Sequence, residues 1–166
     1  MSLRYAAPCL ALMVILGCAE QPDTPEGRFE ALGQRTYQNT CIQCHQADGQ
    51  GIRGVYPPIT QNEWVEGDEG RLIRLILHGM EGPIVIDGVT YDQRMQPLGR
   101  LTDDQIAAVL TYVRNNFGND ASAVDPDDVS KVRAHSDRDR PWRADELWEA
   151  TGIPNEDSLM SWRTVP

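Results

Sequence analysis

Lysine is nearly missing from this 166-residue chain: Lys131 stands alone beside fourteen arginines. A docking face ringed with lysine is therefore excluded, and any cationic patch has to be built from arginine. Bases of both kinds are outnumbered by 25 acidic residues, which leaves a formal charge of −10. A surface of that sign repels phosphate backbones, so no nucleic acid is expected as a partner. Long apolar runs are lacking too. The uncharged, mostly apolar stretch from Tyr5 to Gly17 is shorter than the roughly 20 residues that a permanent membrane helix needs. Histidine occurs three times and cysteine four times, so a metal site assembled from repeated Cys and His pairs has few residues to draw on. The rest is 40% hydrophobic, enough to bury one modest core in a single globular domain with extensions.

One positive charge, Arg4, precedes the apolar run, which ends in Ile15-Leu16-Gly17-Cys18. That is the shape of an export signal. The tetrapeptide resembles the bacterial lipobox, where cleavage exposes a cysteine that is then acylated. The alternative is an ordinary signal cut nearby, with a soluble product. The polar "AEQPDTPEGR" that follows reads as a flexible spacer and favours the lipoprotein. Residues 1–17 are then the signal, Cys18 carries lipid, and 18–27 tether the protein to a membrane. Loss of Arg4 leaves 25 acids against 14 bases, or −11. Cys9 departs with the signal, so Cys41 and Cys44 alone remain for chemistry in the folded part.

Those two lie in "CIQCHQADGQG", residues 41–51, with His45 directly behind. A zinc site needs four ligands, and His78 and His135 belong to no second cluster; zinc is poorly supplied. A thioredoxin-like dithiol should follow a strand in a βαβ pattern, whereas "GRFEALGQRTYQNT" ahead of Cys41 reads as a helix. A covalently attached haem accounts for every residue of the cluster. Two cysteines three apart can form thioethers with the vinyl groups, and the next residue is then aimed at the iron. By chance the pattern would arise in such a chain with a probability of roughly one in a thousand. Covalent haem attachment in bacteria takes place outside the cytoplasm, which agrees with the export signal and predicts a periplasmic or cell-envelope location.

The second axial ligand has several candidates: His78, Met80, Met95, His135 and Met160. Met95 is the best placed, on a loop about fifty residues past His45, long enough to pass a haem edge and return on its other face. His78 and Met80, in "LILHGMEGP", sit at an expected helix end and stay as rivals, with plainer readings as a C-terminal polar residue and a core filler. A neutral thioether favours reduced iron and closes the position where oxygen or peroxide would bind. Around these residues the sequence predicts three helices. The first precedes Cys41, with Phe29 and Tyr37 as apolar surface and Gly33 permitting close backbone approach. The second, in "GDEGRLIRLILHG", has Asp68 as cap and Gly79 as its end. The third has Thr102 and Gln105 as a capping box, then Ile106, Val109, Leu110, Val113 and Phe117 at helical spacing, closed by Gly118. Between the second helix and Met95, "PIVIDGVTYD" asks for a tight hairpin at Asp87-Gly88.

With these residues in order, the stretch 28–119 resembles a monohaem class I cytochrome c. It is most similar to the bacterial kind found beside quinoprotein or sugar dehydrogenases, copper enzymes and terminal oxidases, through "GVYPPI", "RLIRLILHG", the hairpin and "LTDDQIAAVLTYVRNNFGN". The resemblance implies a mainly α fold around one haem c, with Cys41 and Cys44 as attachment points and His45 and Met95 as axial ligands. It implies that Pro57 offers its carbonyl to the His45 imidazole. It also implies an electron carrier without catalytic residues, serving a dehydrogenase, an oxidase or a reductase. The rival is a ligand-binding or peroxidase-like haem protein with a labile sixth site. The family often has proline directly after the ligand methionine; here Gln96 intervenes before Pro97. Trp64 and Arg74 could reach haem propionates, though the plainer readings are a core tryptophan and a solvated arginine. Residues 120–166 exceed the family's core. They read as short helices in "VDPDDVSKVRAH", capped by Asp125 with Pro126 first, and in "RPWRADELWEATG", anchored by Trp142, Leu147 and Trp148. The expected role is a strap over the domain; the alternative is a docking segment using the basic "KVRAHSDRDRPWR".

Overall fold

A computed structural model describes residues 24–154. The expected export signal 1–17, Cys9, Cys18 and Met160 lie outside the described residues. Helix α1, Pro25–Thr40, starts where the Thr24 hydroxyl accepts from the Gly27 amide, with proline at a position that needs no amide hydrogen. Pro25 to Gly27, read from sequence as the end of the spacer, are thus helical. A one-turn α2, Ile42–His45, follows directly. After a loop come α3, Glu63–Glu66, and α4, Glu69–His78, the latter capped by the Asp68 carboxylate on the Arg71 amide and closed by Gly79 at φ 72°. Two short strands, β1 (Met80–Glu81) and β2 (Ile84–Ile86), lead into β3 (Val89–Tyr91), and β2 and β3 form the expected antiparallel hairpin. Its turn residues Asp87 and Gly88 have φ of 50° and 71°, the left-handed pair that a two-residue turn requires.

Helix α5, Asp103–Arg114, opens with the complete Thr102–Gln105 capping box. It ends sooner than the apolar spacing suggests: Phe117 sits past the helix at φ 58° and turns its ring onto Tyr37, 5.1 Å between centroids. The hydrophobic period continues there because a turn, not another helical step, packs the half-buried ring against Tyr37. α5 crosses α1 at Gly33, where a Cβ would lie 2.3 Å from the Ala108 carbonyl oxygen. No other residue permits backbones that close.

The extension folds onto this frame as α6 (Pro126–His135), β4 (Trp142–Arg143) and α7 (Ala144–Glu149). Asp125 caps α6 and Pro126 is its first residue. Val129, Val132 and Leu147 are fully buried in the cluster that Leu72, Ile73, Ile76, Ile84 and Ile106 build. Each such side chain contributes about 1.5–3 kcal/mol by leaving water, which outweighs the weak intrinsic helicity of pieces this short. Trp142 lies in β4, and β4 pairs in parallel with β1, a contact with no local signature in sequence. Trp148 keeps 40% of its surface exposed, yet one face carries the Arg71 guanidinium at 4.0 Å and its edge meets Trp64 at 5.0 Å.

Arg74 corrects the sequence reading. It is 4% exposed, neither solvated nor free: its guanidinium donates to the carbonyls of Ala150 (3.4 Å) and Gly152 (3.0 Å). The extension brings those carbonyls, which helical periodicity in α4 cannot foresee. Each cation of the basic stretch 131–143 pairs with a carboxylate outside it. Lys131 pairs with Asp128, Arg133 with Asp103, Arg138 and Arg140 with Glu146, and Arg143 with Asp145.

Candidate cofactor site around Cys41 to His45

Cys41 is the hinge between two helices. Its amide closes α1 on the Tyr37 carbonyl at 2.8 Å, and its own carbonyl accepts from the amides of Cys44 (3.1 Å) and His45 (2.9 Å). This single turn puts the two sulfurs three residues apart on one side of the chain. Gln46, at φ 64°, ends the turn, and its carbonyl is fixed by the Tyr37 hydroxyl. Both cysteines are free thiols and half-buried. Burial, and then the neighbouring Cys44, push the Cys41 thiol up to about 11. A redox dithiol works through a thiolate of lowered pKa, so the shift runs against that alternative.

The loop after His45 doubles back. The Gly51 amide donates to the His45 carbonyl, Ile52 bridges to Tyr56, and the Ile59 amide reaches the Gly49 carbonyl at 2.8 Å. The result is Pro57 O at 3.0 Å from His45 Nδ1. A carbonyl can only accept, so Nδ1 carries the proton and Nε2 keeps its lone pair. Burial holds the imidazole below its ordinary pKa, opposed by the bond to Pro57, so the ring is neutral at pH 7. The loop (Gln50, Gly51, Arg53, Pro58) faces the hairpin (Ile86, Asp87, Val89, Tyr91) across a cavity of about 330 Å³.

Met95 is tied to the end of α4. Its amide donates to the Met80 carbonyl at 2.8 Å and its carbonyl accepts from the Met80 amide at 3.1 Å; three residues on, Leu98 donates to Ile76 O at 2.8 Å. Gly79 makes this approach feasible, since a Cβ there would lie 2.3 Å from Met95 O. Met80 itself is 6% exposed and fills the core. Met95 packs against the α4 cluster, whereas Cys41, Ile42 and Ile59 pack against Tyr37, Val65, Val109 and Val113. The thiol and imidazole segment and the methionine therefore ride on two different clusters. His78 stands at the end of α4 with a buried Nε2, and His135 is exposed with Nδ1 on Lys131 O. Among the described residues no group of three or more His, Cys, Asp or Glu side chains is arranged to hold a metal ion.

Sequence reasoning missed Arg114 and Arg133, each of which ties several loop carbonyls together. Arg133 donates to Gly99 O, Leu101 O and the Asp103 carboxylate. The signal available for them was the fourteen-to-one excess of arginine over lysine, because only a guanidinium can fork across several carbonyls.

Paired free thiols, a neutral imidazole with an open lone pair, and a thioether on a separately anchored loop are the donor set of a helical protein with covalent haem. The sequence model of the cytochrome c family matches residues 30–117. Cytochrome c-552 of Thermus thermophilus is 36% identical over 122 residues, covering 71% of this chain and 82% of that protein. The fructose dehydrogenase cytochrome subunit of Gluconobacter japonicus is 36% identical over 109 residues, 61% of this chain and 22% of that subunit. The cbb3-type cytochrome c oxidase subunit CcoP of Rubrivivax gelatinosus shares 46% identity over 37 residues, 22% of this chain and 12% of its own length. The chain belongs to the cytochrome c family: it carries covalently bound haem c and transfers electrons, with no catalysis of its own.

Proposed function

We propose that this cytochrome is an exported, lipid-tethered one-electron carrier with His45 and Met95 as axial ligands and Cys41 and Cys44 as the attachment residues. The His45–Pro57 hydrogen bond at 3.0 Å carries the reading. It fixes the tautomer, aims the Nε2 lone pair away from the loop and raises the basicity of the ring. Haem supplies the ferric/ferrous couple when bound. Cys41 and Cys44 would hold it from positions three residues apart on one helical turn, and Tyr37, packed beneath Cys41, keeps that turn rigid. Met95, held by Met80, would supply the second donor and so leave no position for water and small ligands. Nothing in this set moves protons at neutral pH, because the imidazole is already neutral and the thioether does not titrate. Cys18 is the lipid site, residues 18–24 the spacer, and the periplasmic side of a membrane the location.

Partners follow from the relatives whose names give a function. A dehydrogenase delivering electrons and an oxidase or reductase removing them are the two ends between which such a carrier fits. Intact-mass measurement of protein purified from the cell envelope tests export and attachment together: it should show one haem, and an acylated residue at Cys18. Bare polypeptide mass would refute the attachment. Met95→Ala tests the ligation: the ferric protein should lose its weak far-red sulfur-to-iron band and bind carbon monoxide rapidly when reduced. Unchanged spectra would reject Met95, and a wild-type protein already binding carbon monoxide rapidly would favour the labile-site rival.

A further inference from the structure

The extension grips the methionine loop at two points. Strand β1 is shared: Met80 exchanges both backbone hydrogen bonds with Met95, while on its opposite edge β4 pairs as Met80↔Trp142 and Glu81↔Arg143, with Trp142 N on Gly79 O at 3.1 Å. Neighbouring residues of a strand present their backbone groups to opposite sides, so Met95, Met80 and Trp142 lie abreast with β1 in the middle. The second grip is Arg133 of α6. Nη1 donates to Gly99 O at 2.7 Å, Nη2 to Leu101 O at 2.8 Å, and Nε to the Asp103 carboxylate at 2.8 Å. All three guanidinium nitrogens are spent on the return path from Met95 to α5.

We propose that Arg133 is a positioning residue for the Met95 loop, fixing residues 95–101 against α6 so that the thioether resists displacement by external ligands. The inference rests on the reading of Met95 as distal ligand. An iron–thioether bond is weak, so its persistence depends on how freely the loop can swing away. A lysine could reach one of the three acceptors but could not span them. An unliganded loop would leave Gly99 and Leu101 carbonyls to water, and the open state would gain population accordingly.

The test uses the full holoprotein. In Arg133→Ala, imidazole should bind the ferric form at least about tenfold more tightly, since the closed state loses three charge-assisted hydrogen bonds and one alone is worth about that factor. Hydrogen-exchange protection of the Met95, Leu98 and Leu101 amides should fall by about the same factor, with α1 and α5 unaffected. Arg133→Lys should shift both quantities in the same direction by less, and it serves alone if the alanine variant does not mature. Unchanged imidazole affinity, or protection lost equally in α1 and α5, overturns the proposal. If Met95→Ala keeps the far-red band, the distal assignment fails, while loop protection in the Arg133 variants still judges the clamp itself.

Discussion

Arg114 shows how much a single buried cation can organise. At 3% exposure, it donates Nη1 to Val65 O and Gly67 O, at 2.6 and 3.1 Å, and Nε to Ser122 O at 2.8 Å; Nη2 reaches the Ser122 hydroxyl at 3.1 Å. The end of α5, the α3–α4 turn and the start of the extension thus share one guanidinium. Burial lowers its pKa, and the acidic neighbours Glu69, Asp68 and Glu66 oppose that, so it stays charged. Arg114→Met keeps the length but leaves buried carbonyls without donors. A loss of about 3 kcal/mol is expected, measured by denaturant unfolding of the holoprotein. A loss near zero would mean that water replaces the fork. Arg114 occupies the last turn of α5, where a basic residue is ordinary, so the excess of arginine over lysine was the one trace of its reach in sequence, and that excess points to no position. Cys41, Cys44 and His45 did, because their chemistry depends on neighbours within five residues. His45 and Pro57 were paired only through family resemblance; the loop that unites them is built from backbone bonds between residues up to ten apart.

Among the elements, the α1–α5 crossing sets the frame on which Cys41 hangs. Gly33→Ala would force a methyl into the space of the Ala108 carbonyl and within 2.9 Å of Tyr112 Cβ. Neither partner is a flexible side-chain tip, so the helices must separate. The gain in helix propensity, about 1 kcal/mol, is smaller than the overpacking cost, expected at roughly 1–3 kcal/mol or more. The melting temperature of the holoprotein should therefore fall; a rise would show that the crossing can relax. Elements with strong local signals were legible from sequence. The capping box, the Asp68 and Asp125 caps, Gly79 and the Asp87-Gly88 turn each state a boundary in a few residues. Pairing of β1 with β4 was not legible, since two-residue strands have no alternation to read and the partners are about sixty residues apart in sequence. Arg74 failed for the same cause: its acceptors come from the other end of the chain.

At the scale of the whole molecule, the strap is held partly by apolar burial, which is indifferent to pH, and partly by Glu146, which is not. The Glu146 carboxylate accepts from Arg140 at 2.8 Å, from Arg138 at 2.8 Å and from the Arg143 amide at 3.2 Å. Arg140 foremost, with the Arg143 amide and Arg138, draws its pKa from 4.5 down to about 2. A carboxylate depressed in the folded state stabilises fully above its unfolded value, and that contribution fades as pH falls through the folded one. The window therefore runs from 4.5 to about 2. The side chain is about a third exposed, so solvent screens the pair and the loss is local, not global. Protection factors at Trp142 and Leu147 should drop across that window before those of α1 and α5 change. In Glu146→Gln, which keeps shape but cannot ionise, the same amides should be weaker at neutral pH and flat across the window. An acid profile identical to wild type would place the sensitivity elsewhere. The direction matters for function. Because β4 shares β1 with Met95, a strap that loosens in acid should release the methionine loop first; with Met95 as the proposed distal ligand, the far-red band should then fade at a higher pH than helix content does. Simultaneous loss of both would mean that strap and domain unfold as one unit and that Glu146 only shifts the common midpoint.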